Sequence, residues 1–355
     1  MGKQVVGLKL GASRLTAARL EVNGSAELLQ LAESPLPQGA IVGGEVRDVA
    51  ALAEALKEFF KRHKLPKRNV RIGVANNRIG VRTIEVAGIE DPKQLANAVR
   101  FRAQEALPIP IDEAVLDFQV LSERANAEGQ VVRRVLLVVA YRDLIAAYAE
   151  ACRLAGVRLA GVDLEAFALL RALTPAEPAP DPGADPSALV AVSVGSQRSV
   201  LAVSDGTSCD FTRILDWGGN SLTVAVGRAL EVELEEAELL KIELALQGDT
   251  VPDGLAPERA VQAREALVSA LPGFGRELVS SLQFYQGQPD SLGIREIVLA
   301  GGTARLAGLA SELQRLVGVP VRVGDPLVGV AVGKKLRGDA PSPAHAVSIG
   351  LGMAL

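Results

Sequence analysis

The sequence is poor in the side chains from which metal sites and nucleophilic relays are built. Its 355 residues include two cysteines, Cys152 and Cys209, and two histidines, His63 and His345. The cysteines form no CxxC pair, so we expect buried, reduced thiols. The histidines offer little material for a zinc site or a Ser-His-Asp relay, and we expect both at the protein surface.

Long apolar runs and a large excess of one charge are absent too. No run of about 18 apolar residues occurs, and the N-terminus lacks the apolar stretch of a signal peptide. We therefore expect a cytoplasmic protein that does not itself insert into a membrane. The net charge is −4 and aromatic residues make up 3%, and the basic and aromatic pattern typical of nucleic-acid binding is missing. We therefore expect no DNA or RNA partner.

What the sequence does contain is a strand-and-turn pattern that occurs in both halves. The halves are separated by the proline-rich stretch TPAEPAPDPGADPS, residues 174–187, which predicts an extended linker. Before it, a strand leads to Gly11 and a later Asn23-Gly24 turn; after it, a strand leads to Gly195 and an Asp205-Gly206 turn. Asn-Gly and Asp-Gly favour tight hairpins. The chain is long enough for two domains, and we infer that they are a structural duplication.

Between these hairpins the pattern alternates between helices and strands. The segment VRDVAALAEALKEFFKRHKL has helical spacing of apolar residues, with Asp48 as the expected N-cap, and it leads into the basic stretch KRHKLPKR, residues 61–68. Residues 79–156 read as a small α+β subdomain. In the second half the segment 258–286 predicts one long helix or two helices separated near Pro272-Gly273.

Several segments resemble a known family, and they occur in the order found there. They are LPQGAIVGGEVRDVAALAEALKEF, EALPIPIDEAVLDFQVL, GVDLEAFALLRAL, EEAELLK and GGTARLAGLASELQRLVGVPVRVGDP. With the paired glycine hairpins they resemble the actin-like ATPase superfamily and, within it, the PilM family of type IV pilus assembly proteins. The order also resembles FtsA division proteins, which end in an amphipathic membrane-binding helix. The ending SPAHAVSIGLGMAL instead looks like a buried helix that closes the first domain, which favours PilM.

The resemblance implies an α/β, actin-like (ribonuclease H-like) duplicated two-domain fold with an inserted α+β subdomain in the first domain. The expected boundaries are 1–78 for the first-domain core, completed by about 157–173 and 336–355, then 79–156 for the insertion, 174–187 for the linker, and 188–335 for the second domain, with a helical subdomain at about 228–290.

The resemblance also implies a cleft that binds ATP. Gly301 and Gly302 would bring backbone close to the adenine, and Glu238 and Lys241, three apart on one helix, would reach the ribose; otherwise these two form an ordinary solvated ion pair. The full set of expected ATP-binding residues is Lys9, Gly11, Ala12, Ser13, Gly195, Ser196, Gln197, Glu238, Lys241, Gly301, Gly302, Thr303 and Ala304.

The chain departs from the family pattern where magnesium would be held. Lys9 and Ser193 stand where the family has acids, and a lysine repels a cation, so we expect no ordinary magnesium site and negligible ATP hydrolysis. Either Lys9 neutralises a phosphate of a structural ATP, or it fills or salt-bridges a vacated cleft that binds no nucleotide. Glu165 is a weak catalytic candidate for orienting water, although a carboxylate at a helix start also suits the helix dipole.

The function that the resemblance implies is a scaffold. PilM-like proteins bind the short cytoplasmic N-terminal tail of the inner-membrane protein PilN in a groove between the first-domain core and its insertion, and so lie at the inner face of the membrane. The expected groove edge is Leu107, Pro108, Ile109, Pro110 and Ile111, which could instead cap the preceding helix and plug the core. An active ATPase and an FtsA-like tether are the alternatives, and homo-oligomerisation is left open.

Overall fold

The computed structural model describes residues 2–89, 91–106, 110–127, 129–174, 187–248, 251–289 and 291–354. The strands, numbered in chain order, are β1 (Lys3–Leu10), β2 (Arg14–Asn23), β3 (Ser25–Pro35), β4 (Ile41–Val42), β5 (Glu45–Val46), β6 (Val70–Val74), β7 (Ile79–Ala87), β8 (Ala114–Ala125), β9 (Val131–Tyr141), β10 (Leu159–Leu164), β11 (Ser187–Val194), β12 (Ser199–Ser204), β13 (Cys209–Leu215), β14 (Gly293–Ala300), β15 (Val321–Val323) and β16 (Val330–Gly338). The helices are α1 (Val49–Arg62), α2 (Pro92–Ala106), α3 (Arg142–Leu154), α4 (Glu165–Leu173), α5 (Gly219–Leu230), α6 (Leu234–Glu243), α7 (Pro257–Gln286), α8 (Leu309–Val317) and α9 (Ala346–Met353).

Local sequence signals explain where several of these elements begin and end. The Asp48 side chain accepts a hydrogen bond from the Ala51 amide at 2.8 Å and so caps α1. Gly24 and Gly206 close the two expected turns with positive φ angles of 73° and 95°. Helix α7 continues through Pro272 as a single helix, which decides between the two arrangements that the sequence allowed.

The first sheet has six strands in the order β10-β6-β1-β2-β3-β16. β1, β2 and β3 form an antiparallel meander, and β6 pairs in parallel with β1. Helix α9 packs against β1 so closely that a Cβ on Gly7 would lie 2.0 Å from the Ser348 carbonyl oxygen. β16 begins at Val330, earlier than the return to the first domain that we expected near residue 336.

The second sheet has five strands in the order β13-β12-β11-β14-β15. Here β11, β12 and β13 form the antiparallel meander and β14 pairs in parallel with β11. The same connectivity therefore occurs in both halves, as the repeated sequence pattern predicts. Helices α5 and α7 cover one face of this sheet, while α4 and α9 share an apolar core with its other face.

A separate three-stranded antiparallel sheet, in the order β7-β9-β8, lies within the segment 79–156. Helix α2 packs on it, and Val99, Val135 and Leu137 are fully buried between them. This segment has its own apolar core, and its status as an insertion stays a prediction.

The two histidines differ in exposure. His63 is half-buried after α1, whereas His345 has a relative exposure of 2%. Surface placement is therefore wrong for His345, because the short helical turn Pro343–His345 packs against β2, β14 and the helical turn Gly302–Arg305. Both cysteines are buried and free, as expected. Among the described residues, no helix has the length and apolar character needed to cross a membrane.

Candidate functional site

Two hairpin turns, one from each half, face the same cleft. In the β1–β2 turn the Gly11 amide donates to the Arg14 carbonyl at 3.0 Å, and in the β11–β12 turn the Gly195 amide donates to the Arg198 carbonyl at 3.0 Å. Both turns line a cleft with a volume of about 280 Å³. The same hydrogen bond therefore closes both turns, as their similar sequences predict.

Most of the expected ATP-binding residues line this cleft. They are Lys9, Gly11, Ala12, Ser13, Gly195, Ser196, Gln197, Glu238, Lys241, Gly302 and Thr303. Gly301 and Ala304 are instead buried behind its wall. A Cβ on Gly301 would lie 2.4 Å from the Val194 carbonyl oxygen, so the end of β11 already requires glycine at this position.

Lys9 lines the cleft and contacts both halves of the chain. Its Nζ is 3.2 Å from Glu165 Oε2 and donates to Ser193 Oγ at 3.4 Å. The side chains of Lys9 and Glu165 are only 15% and 8% exposed. The Lys9 ammonium therefore reaches Ser193, the second position where the family pattern has an acid, and it is also paired with Glu165, the candidate carboxylate for orienting water.

Glu238 and Lys241 form an ion pair on α6, but this pair is not fully solvated. Lys241 is 7% exposed, and its Nζ also donates to Thr223 Oγ1 at 2.9 Å and to the Gly219 carbonyl at 3.3 Å. These bonds fix α6 to the start of α5 at the edge of the cleft. The prediction of an ordinary solvated ion pair is therefore wrong for Lys241, because α5 covers its ammonium.

Sequence reasoning missed several residues that line the cleft. Arg14 and Arg198 stand three residues after the two glycines, so the repeated G-x-x-R pattern was a signal that could have found them. Thr16 pairs with Lys9 on one side and with Glu33 on the other. Its buried Oγ1 has no hydrogen-bond partner within the described part of the chain.

The charges on the cleft wall favour an anion. Among the described residues that line it, the basic side chains are Lys9, Arg14, Arg198, Lys241 and Arg305, and the acidic ones are Glu33, Glu165 and Glu238. Positive charge is therefore in excess. Within the described ranges, no group of three or more His, Cys, Asp or Glu side chains is arranged to hold a metal ion.

The tip of the β4–β5 hairpin bridges the cleft next to the second turn. The Gly43 amide donates to Gln197 Oε1 at 3.0 Å, and the Gly43 carbonyl accepts from the Arg198 guanidinium. From the first half of the chain, Asn76 Nδ2 donates to the same Gly43 carbonyl at 2.9 Å, and Tyr148 Oη donates to the Gly44 carbonyl at 3.1 Å. Burial raises the pKa of the Tyr148 phenol, so this donor keeps its proton.

The expected groove edge is described only in part. Leu107, Pro108 and Ile109 lie outside the described residues. Pro110 is exposed, and the backbone enters a short helical turn at Ile111–Glu113 before β8. The groove edge therefore stays a prediction.

Comparison with known proteins agrees with the fold. The model of the family described as type IV pilus assembly protein PilM matches residues 7–355. The chain is similar to a protein in a solved PilM-PilN type IV pilus biogenesis complex, with 28% identity, a TM-score of 0.80 and 100% of both chains covered.

More distant relatives share the fold. MreB5 of Spiroplasma citri, solved with bound AMPPNP, has a TM-score of 0.53 at 13% identity, with 98% of this chain and 94% of that chain covered. The cell division protein FtsA of Pseudomonas aeruginosa is 25% identical, with 92% of this chain and 84% of the FtsA chain covered. Since the family model matches nearly the whole sequence, the chain belongs to the PilM family of type IV pilus assembly proteins.

Proposed function

We propose that this protein is a scaffold of type IV pilus assembly that binds the cytoplasmic N-terminal tail of a PilN-like inner-membrane protein. The observation that carries this role is the similarity, over the full length of both chains, to the protein of the PilM-PilN complex. Through such a partner the protein is held at the inner face of the cytoplasmic membrane. In this proposal the segment 79–156 is an insertion that forms one wall of the groove, with Leu107–Ile111 at its edge.

We propose further that the cleft holds ATP as a structural ligand, without magnesium and with negligible hydrolysis. The excess of basic side chains suits phosphates. The Gly11 and Gly195 amides close their own turns, but the amides of the residues that follow them, at 12–13 and 196–197, are able to donate to phosphate oxygens. The unpartnered hydroxyl of Thr16 is a further donor on the cleft wall. A divalent cation is disfavoured beside Lys9, since two unit positive charges about 4 Å apart repel by about 4 kcal/mol at an effective dielectric of 20, and a divalent cation carries two such charges.

Calorimetry with ATP tests the metal-free site. Wild-type protein should bind ATP equally well with magnesium and with a chelator, and phosphate release should be negligible in both. Lys9→Asp should weaken binding in chelator and make the remaining binding depend on magnesium. Lys93→Asp, the same change on the exposed face of α2, should behave as wild type. Tight, magnesium-dependent binding with turnover in the wild type would instead identify an active ATPase.

One observation favours a second candidate, a cleft that no longer binds nucleotide. Lys9 already has a carboxylate partner in Glu165 and a hydroxyl partner in Ser193, so its charge is compensated without a phosphate. In that case calorimetry detects no ATP binding by the wild type under either condition, and the scaffold role is unaffected.

Titration with a synthetic partner tail tests the scaffold role. Ile109→Asp should abolish binding while the protein stays folded, because a carboxylate would have to be desolvated against an apolar groove. The matched control is Val261→Asp, which changes an exposed valine on α7 and should leave binding unchanged. Equal affinities for wild type and Ile109→Asp would show that the partner tail binds at another surface.

A further inference from the structure

A second charged feature lies outside the cleft, at the turn between α1 and β6. The exposed basic residues of this surface, which we call the basic edge, are Lys61, Arg62, Lys64, Lys67, Arg68 and Arg158. The Arg158 amide donates to the Lys67 carbonyl at 2.8 Å, which places the sixth cation beside the other five.

These cations lack carboxylate partners. No ion pair of the described residues includes any member of the basic edge; the neighbouring Lys57 pairs with Glu54 at 3.1 Å. Two acids lie in the neighbourhood: Glu58, one turn earlier on α1, and Asp339, whose charge acts on His63. A concentrated set of unpaired positive charges therefore stands on a chain whose net charge is −4.

The turn is held in a fixed shape. Leu65 is buried, and its amide donates to the Phe60 carbonyl at 3.1 Å. Lys64 follows the last residues of α1 with a φ of 53°, a left-handed conformation for which helices usually use glycine. A lysine at this position presents its charge at the tip of the turn, despite a backbone conformation that disfavours a side chain.

The sheet topology separates the basic edge from the cleft. β1, β6 and β10 are parallel neighbours, so their first residues lie at one end of the strands and their last residues at the other end. The basic edge adjoins the first residues of β6 and β10, whereas Lys9 and Glu165 lie at the opposite ends. β6 begins at Val70, which is in register with Val6 of β1, three residues or about 10 Å from Lys9 along the strand. The basic residues of the turn precede Val70, so the two charged regions are separate.

We propose that the basic edge binds the surface of a membrane that contains anionic phospholipids. Clusters of four to eight Lys and Arg residues are attracted to such surfaces. A nucleic acid is a poorer fit because the aromatic residues beneath the turn, Phe59 and Phe60, are buried and offer no stacking surface to bases. The proposal goes beyond the scaffold function and does not depend on the cleft or on the groove.

Vesicle co-sedimentation of the full chain, without any partner, tests this proposal. Wild-type protein should bind vesicles of phosphatidylglycerol and phosphatidylcholine, should not bind phosphatidylcholine alone, and should dissociate as salt is added. The triple variant Lys61→Gln, Arg62→Gln, Arg68→Gln should bind about 100-fold more weakly, since each Lys or Arg near an anionic surface strengthens binding by roughly fivefold.

The matched control removes the same charge from the second half of the chain. Arg213, Arg228 and Arg276 are exposed, and their replacement by Gln should leave vesicle binding unchanged. Equal binding by wild type and the triple variant overturns the proposal, as does a lack of wild-type binding at low salt. Tighter binding to short duplex DNA than to vesicles would assign the basic edge to nucleic acid instead. Titration with the partner tail contains no lipid, so failure of either proposal is distinguished from failure of the other.

Discussion

Replacing Glu165 with glutamine should strengthen ATP binding in the absence of magnesium. In the wild type the Lys9 ammonium is 3.2 Å from the Glu165 carboxylate, so a phosphate must share this cation with an acid. Glutamine is nearly isosteric but uncharged, and it leaves Lys9 free to neutralise the phosphate. An acid that only orients the attacking water would instead affect turnover and leave metal-free ATP binding unchanged.

The magnitude follows from the geometry. A phosphate oxygen in contact with Lys9 lies about 3 Å from its Nζ, which puts it roughly 6 Å from the carboxylate on the other side. Two unit negative charges at about 6 Å repel by about 3 kcal/mol at an effective dielectric of 20, which corresponds to an upper limit of about 100-fold in affinity. The same change should lower the free energy of unfolding by about 3 kcal/mol, because the mostly buried Lys9 loses its partner.

Calorimetry with ATP in chelator measures the first effect, and urea unfolding without nucleotide measures the second. Glu265→Gln on α7 is the matched control, since this exposed acid lies outside the cleft. Weaker ATP binding by Glu165→Gln than by wild type, with the control unchanged, would refute the argument that Glu165 competes with phosphate for Lys9.

Three further predictions concern stability and reactivity. Gly350→Ala should destabilise the fold by about 3 kcal/mol or more, because the new Cβ would lie 1.8 Å from the Ala168 carbonyl oxygen. Gly273→Ala lies in the middle of α7, where the new Cβ meets no neighbouring atom within 4 Å, and it should stabilise the fold by about 0.5–1 kcal/mol. Urea unfolding of both variants checks the opposite signs. Burial lowers the pKa of His345, so the unfolded chain takes up this proton first and stability should fall as the pH drops below about 6.5, with a shallower fall in His345→Asn. Burial raises the pKa of the Cys152 thiol to about 12, so a thiol reagent should leave it unmodified at neutral pH until the protein unfolds.

The sequence predicts the parts of this fold that local signals determine. The two glycine turns, the Asp48 cap and the buried helix α9 were all predictable, because turn residues, caps and apolar runs act over a few positions. The meeting of Gly11 and Gly195 at one cleft was predictable for a different reason. A duplicated fold places equivalent turns opposite each other, and the repeat is visible in the sequence.

The parts that could not be predicted depend on contacts between distant segments. The hydrogen bond between Gly43 and Gln197 joins a backbone amide to a side chain from the other half, and such a contact produces no periodic pattern in the sequence. His345 was misassigned because its short turn has no pattern of its own and is buried by other elements. The roles of Lys9 and Glu165 were left open, since only the structure brings their charges together.

The addition of β16 and α9 to the first sheet has a consequence for synthesis of the chain. The second sheet is built from one continuous stretch, residues 187–323, whereas the first also needs β16 beside β3 and α9 beneath β1. As the polypeptide leaves the ribosome, the later half is able to complete its hydrogen bonding while the earlier half still exposes apolar side chains such as Leu28 and Leu31, which pack with Val330 and Ile349. The half that emerges first is therefore the half that matures last, and during that interval it is the part of the nascent protein most in need of chaperones.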